Sequence, residues 1–289
     1  MIITEPGVYD LDPDIYHGDP TEAGSLSSTS AKKLLPPSAP AIYRWEQDHP
    51  VEKDCFDFGR AAHRLVLEGE AELRASLVTV VDFPSWQFKA AKEAKAEARA
   101  DGKAPVLAKD WQAILDMAAA LKAHPTAGRL FDAARGNPEQ SLFWRNAEHG
   151  VMRRCRLDFL PHPQDGRRLV LADYKTCAGL PDPTTWAKSA ADYGYHQQAA
   201  GCIEGVRAVG LADDPAFIFV VQSKQPPYLV TLVELDETAL KIGGTLNRVA
   251  MGIFAECQRT GQWPGYDPGV HLASLPPWYL SQPQFDAIL

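Results

Sequence analysis

Cysteine is sparse and scattered in this chain. The five cysteines among 289 residues, Cys55, Cys155, Cys177, Cys202 and Cys257, form no Cys-x-x-Cys pair. That excludes zinc ribbons and four-cysteine iron–sulfur clusters. An odd, unclustered count points to reduced thiols in a cytoplasm. Long hydrophobic runs are missing as well. The longest uninterrupted apolar stretch, Ala216 to Val221, is far too short to cross a bilayer, so no membrane association is expected. The opening MIITEPGVYDLDPD has neither the basic region nor the apolar run of a secretory signal. Excess positive charge is absent too: the net charge is −8, which does not advertise a polyanion binder. There is no G-x-S-x-G elbow, Walker loop, G-x-G-x-x-G or His-Glu-x-x-His, and nothing points to Ser/His/Asp catalysis.

What is present is an ordinary globular composition, 45% hydrophobic and 23% charged, enough to bury a sizeable core without staples. The first stretch, to about Pro50, reads as loops with one short helix. Ser28, Thr29 or Ser30 caps that helix, and Pro36-Pro37 stops it. Residues 57 to 68, DFGRAAHRLVLE, read as a helix closed by Gly69. Two helices follow, 86–100 and 109–123, broken at Asp101-Gly102. The first is rich in Ala, Lys and Glu and reads as a solvated arm. The second carries Trp111, Ile114, Leu115 and Leu121 at helical spacing and should pack. Strands are expected at 141–144, in a hairpin over 153–175, and at 216–222 and 228–235. Helices are expected at 195–206 and 238–259. Strands bracketed by helices give an α/β (α+β) fold with a central mixed sheet. The chain reads as a single domain over 1–289: an N-terminal segment 1–80, a helical arm 86–124, a sheet core 139–260 and a tail 261–289.

The hairpin RRCRLDFLPHPQDGRRLVLADYK, residues 153–175, is the most informative segment. With Asp165-Gly166 as a two-residue turn, paired residues have numbers that sum to 331. Asp158 then faces Asp173, with side chains roughly 5 Å apart. Lys175 shares their face because strand side chains alternate with period two. The apolar run Leu169-Val170-Leu171-Ala172 reads as a buried strand ending in charges, and charges there need partners. Facing carboxylates call for a cation between them. A divalent ion held by two carboxylates beside an ammonium is machinery for hydrolysing phosphate esters. Between Arg145 and Lys175 the basic residues Arg145, Arg153, Arg154, Arg156, Arg167, Arg168 and Lys175 outnumber the acidic residues Glu148, Asp158, Asp165 and Asp173. The segment reads as locally basic.

Other residues could join such a site. His63 lies on the 57–68 helix with Gly59 one turn before it, which would allow a close approach. Gln198, in YGYHQQAAGC, could donate to a phosphate or to water. Glu139 could add a carboxylate or hold Lys175. Ser27, Ser28 and Ser30 could donate to phosphates, though capping explains them more simply.

As an ordered set these pieces resemble the PD-(D/E)XK nucleases, and among the RecB-like group the RecE-type exodeoxyribonucleases. The likeness starts at Tyr16-His17 and SLSSTSAKKL. It runs through FGRAAHRLVLEG, PEQSLFWRNAEHGVMRRCRLDFL, LADYKTC, GYHQQAAG and VVQSKQPPYLV to GQWPGY. The resemblance implies a PD-(D/E)XK nuclease fold. It implies a metal site from His63, Asp158, Asp173 and the carbonyl of Tyr174, binding Mg²⁺ or Mn²⁺, with Lys175 as the signature lysine. It puts Gln198 in the family's Q-x-x-x-Y motif as a DNA contact. Cys202 stands where that motif has tyrosine, and Leu157 replaces the signature proline. It also implies 5′ to 3′ digestion of linear duplex DNA by a ring-shaped homo-oligomer in recombination or phage biology, with a single-strand annealing protein as partner. A single-strand or flap-specific nuclease and a catalytically silent DNA-end binder are the competing readings.

Overall fold

One mixed sheet with a helical layer on each face organises the molecule. The computed structural model describes residues 2–49, 57–68 and 78–281. Its strands are β1 (Gly7–Asp10), β2 (Ser25–Leu26), β3 (Val78–Val81), β4 (Ala104–Leu107), β5 (Gly136–Arg145), β6 (Met152–Pro161), β7 (Val170–Cys177), β8 (Ala216–Ser223) and β9 (Val230–Glu234). Its helices are α1 (Pro13–His17), α2 (Ser28–Lys33), α3 (Pro40–Asp48), α4 (Asp57–Glu68), α5 (Lys89–Ala100), α6 (Ala108–Ala123), α7 (Ala127–Leu130), α8 (Pro183–Tyr193), α9 (Tyr195–Ala208), α10 (Glu237–Thr260) and α11 (Pro277–Leu280).

The seven-stranded sheet has the order β1-β5-β6-β7-β8-β9, with β2 alongside β6. The β7–β8 and β2–β6 pairs are parallel and the other pairs antiparallel. A parallel pair needs a long crossover, and α8 and α9 supply it between β7 and β8. One face buries Phe159, Tyr174 and Val220 against Ala61 and Leu65 of α4 and Trp111, Ile114 and Met117 of α6. The other buries Leu171, Phe217 and Phe219 against Trp186 of α8 and Ala199, Cys202 and Val206 of α9. α10 crosses α9 so closely that a Cβ on Gly243 would collide with the His196 carbonyl; only glycine permits that approach.

The N-terminal segment is more structured than its Pro, Ser and Asp content suggests. β1 pairs with β5, β2 pairs with β6, and Leu11 and Tyr16 pack on Phe143. The cap of α2 is Ser27, whose hydroxyl accepts the Ser30 N–H at 3.1 Å, not one of the three residues after it. The Ala/Lys/Glu helix α5 is not a free arm. It buries Ala91 and Ala98 beside a two-stranded parallel sheet, β3–β4, that the sequence reading leaves out. The Gly69 stop and the surroundings of Gly59 lie outside the described residues.

The arginines of β6 are structural. Arg153 is fully buried and donates to the Leu26 carbonyl at 2.9 Å. Its guanidinium lies 5.4 Å from the Trp144 ring centroid. Arg154 donates to the Ser25 hydroxyl at 2.6 Å and pairs with Asp19. Arg156 donates to the Leu11 carbonyl at 2.9 Å and pairs with Glu139. They fasten the N-terminal segment to the sheet. Arg153 and Arg154 therefore add nothing to the surface, while Arg145, Arg167 and Arg168 stay exposed.

Candidate active site

Register brings the carboxylates together. Phe159 pairs with Ala172, and those numbers sum to 331, so the next step sets Asp158 across from Asp173. The connection is not a two-residue hairpin, however. β6 stops at Pro161 and β7 begins at Val170. Asp165-Gly166 sits at the tip, where the Arg167 N–H meets the Gln164 carbonyl at 3.1 Å and Gly166 takes φ 70°. The turn is centred where the sequence puts it, and the strands separate before reaching it.

Beyond Phe159 and Ala172 the backbone ladder between β6 and β7 gives way to a side chain. Asp158 Oδ2 accepts the Tyr174 N–H at 2.7 Å. The strict alternation of β6 also breaks here: Leu157 belongs to the cluster under α8 and α9, whereas Phe159 belongs to the opposite one. Across β5–β6 the paired numbers sum to 297 on both sides of this point, so Glu139 lies opposite Asp158. Glu139 adopts φ 55°, a left-handed conformation that costs a non-glycine residue free energy and clusters at functional sites.

His63 bridges the two strands from α4. Its Nε2 is 2.9 Å from Asp158 Oδ2 and its Nδ1 is 3.3 Å from Glu139 Oε1. His63, Glu139 and Asp158 offer ligand atoms that all lie within 4.8 Å of one another. Asp173 stands beside this trio rather than in it. Lys175 Nζ approaches its Oδ2 at 2.5 Å and Gln198 Nε2 donates to its Oδ1 at 2.6 Å. Gln198 thus orients a carboxylate in the metal-free chain. Glu139 meets Arg156 and His63, not Lys175.

The charges are strongly coupled. Burial pulls the His63 imidazole down, but the Asp158 charge and hydrogen bond and the Glu139 charge push it up to about 9. Burial raises the Asp158 carboxyl, yet the charge and hydrogen bond of His63, the Lys175 charge and the Tyr174 N–H together outweigh it and hold Asp158 below the usual carboxylate range. Asp173 is pushed up to about 6 by burial and by the Asp158 charge, against the pull of Lys175. Lys175 is disfavoured by burial, but Asp173 and Asp158 raise it further above its ordinary value. It is therefore an ammonium at neutral pH. His63, Glu139, Asp158 and Lys175 line an open cleft of about 770 Å³ with Arg64, Tyr193, Tyr195 and Lys224, while Asp173 itself is buried. Pairs of groups whose ionisation is pushed apart in a cleft mark a functional site.

Of the two roles open to Glu139, an added carboxylate or a partner of Lys175, its place beside His63 and Asp158 fits the first. A signal for it did exist: applying the register sum to the β5–β6 hairpin, as to the next one, sets Glu139 against Asp158. Ser27 caps α2 and Ser28 is buried in it; neither lines the cleft.

Residues 27–270 match the model of a family described as PDDEXK-like domain of unknown function (DUF3799). The chain belongs to this family. The PDDEXK-like fold agrees with a solved structure, a "putative exonuclease" from Eubacterium rectale, with TM-score 0.58 and 11% identity over 95% of this chain and 99% of that one. At that identity the likeness is one of fold. No curated protein matches the chain. Among the described residues no helix is long and apolar enough to cross a membrane, and Cys155, Cys177, Cys202 and Cys257 are free thiols.

Proposed function

We propose that this PDDEXK-like protein is a metal-dependent DNA exonuclease acting on the ends of linear DNA. The observation that carries the reading is the juxtaposition of Asp158, Asp173 and Lys175 on splayed strands, with His63 and Glu139 closing the cluster. Oxygen and imidazole donors suit Mg²⁺ or Mn²⁺. The like charges of Asp158 and Asp173 favour a cation there, since without one Asp173 is pushed towards its neutral form. His63, Asp158, Asp173 and the Tyr174 carbonyl would hold the ion, with Glu139 as a further carboxylate. When bound, such an ion polarises the phosphate and lowers the pKa of a bound water.

The side chains supply the rest. Lys175 presents a fixed positive charge, suited to the charge that develops on phosphorus during in-line attack. Gln198 holds Asp173 in one orientation, and the Tyr174 N–H does the same for Asp158. Arg64 and Lys224 line the cleft where the phosphate backbone would enter. The 5′ to 3′ direction, duplex preference, oligomeric ring and annealing partner rest on the resemblance to RecE-type enzymes alone.

The test is a time course on end-labelled linear duplex, single-stranded and closed circular DNA, with Mg²⁺ or with EDTA. Cleavage of linear DNA only with the metal supports the proposal. Cutting of closed circles, or equal rates in EDTA, defeats it.

A further inference from the structure

We infer that Tyr193 is a stacking platform for the base of an unpaired nucleotide at the DNA end, which adds a substrate feature to the nuclease reading on which it rests. Tyr193 ends α8 and lines the same cleft as His63, Asp158 and Lys175. It is 64% exposed, so a large aromatic face is open to solvent beside the acidic cluster. A tyrosine needing only burial would turn inward, as Tyr174 does.

The ring is backed by a rigid aromatic series. Tyr193 lies 5.7 Å from Tyr195 at 31°. Tyr195 stacks on Trp186 at 5.6 Å and 19° and touches Phe219 at 5.5 Å. Trp186 and Phe219 belong to the buried core, so the outermost ring is held on a fixed foundation. Gly194, at φ 71°, makes the tight reversal between α8 and α9 that puts both tyrosines on the cleft.

The charge around the ring matches a nucleotide. Lys32 Nζ lies 5.9 Å from the Tyr193 centroid and donates to the Asp192 carbonyl at 3.0 Å. Lys175 Nζ lies 5.3 Å from the Tyr195 centroid. Lys32 and Lys175 would set cations near the phosphates of a nucleotide whose base lies on Tyr193, in the cleft that Asp158 also lines. Stacking on an aromatic plane tolerates any base, as an end-processing enzyme requires. An unpaired base can turn out of the duplex to reach the ring, so the platform favours frayed or single-stranded ends.

The test measures affinity apart from turnover, by fluorescence anisotropy in EDTA. Wild type, Tyr193→Ala and Tyr193→Phe are titrated with a labelled DNA hairpin carrying a short single-stranded tail. The tail is either intact or abasic. The inference requires Tyr193→Ala to weaken binding to the intact tail about tenfold or more, to change the abasic tail little, and Tyr193→Phe to bind as wild type. Equal weakening of both tails, or no weakening of either, overturns it, as does wild type binding both tails equally. Cleavage of the same hairpin in Mg²⁺ separates the two readings. Cleavage without the ring–base coupling removes the platform only, and coupling without cleavage removes the nuclease only.

Discussion

The carboxylate of Asp158 replaces a backbone acceptor: its Oδ2 takes the Tyr174 N–H at 2.7 Å, where the ladder between β6 and β7 has ended. One side chain therefore ties the split strands together and faces the cleft with its remaining capacity. Asp158→Ala leaves the Tyr174 N–H unpaired among buried groups and should cost about 1–3 kcal/mol of stability. Asp158→Asn keeps an acceptor and should cost less, yet should still abolish cleavage. Urea denaturation beside the end-labelled assay separates the two effects; wild-type cleavage in Asp158→Asn would remove this residue from the site.

Asp173 and Lys175 should separate metal loading from chemistry. Asp173→Ala is expected to lower cleavage by at least about a hundredfold. Lys175→Ala should slow cleavage as strongly while leaving Mn²⁺ affinity near wild type, because an ammonium is not a ligand. Calorimetric titration with Mn²⁺ checks both. Full nuclease activity in Asp173→Ala would rule the site out.

His63 makes the metal-free protein sensitive to alkali. Its folded pKa, about 9, lies above the ordinary histidine value of 6.5. The stabilisation is therefore complete below about pH 6.5 and is lost as pH rises through about 9. The unfolding free energy in EDTA should fall across that window, by on the order of 3 kcal/mol. The fall should flatten in His63→Ala, and an unchanged slope in that variant would contradict the assignment. Asp173, raised to about 6, acts at lower pH. As a group with a raised pKa it stabilises below its unfolded value, and that contribution is lost by about pH 6.

Gln198 should act through Asp173. Gln198→Ala removes the 2.6 Å hydrogen bond to Oδ1 and is expected to reduce kcat about tenfold with little change in KM. Gln198→Glu should be worse, since it sets a further carboxylate against Asp173. Steady-state kinetics on linear DNA decide; a change in KM alone would return Gln198 to the role of a plain DNA contact.

The β6 arginines should matter for folding rather than for DNA affinity. Arg153→Ala empties a fully buried position and should destabilise by about 2–5 kcal/mol. The salt dependence of DNA binding should be unchanged in whatever fraction folds. A shallower salt slope, read by anisotropy at several NaCl concentrations, would show that this guanidinium neutralises phosphate.

Local signals marked part of the fold and the pairing of the key strands. Apolar runs marked β6 to β8, helical spacing marked α6, and the Asp165-Gly166 turn centred the register that opposes Asp158 to Asp173, whereas β1 to β4 and α8 carried no such mark. Those signals are local, because each arises from the period of the backbone and from turn chemistry. Tertiary structure decided what the periods do not encode. It turned Arg153, Arg154 and Arg156 inward to hold the N-terminal segment, brought His63 from a distant helix onto two carboxylates, and aimed Gln198 at Asp173. It also put Glu139 into a left-handed conformation that simple alternation does not anticipate. Contacts between residues far apart in sequence depend on how whole layers pack, and packing follows from all the buried surfaces together rather than from any one segment.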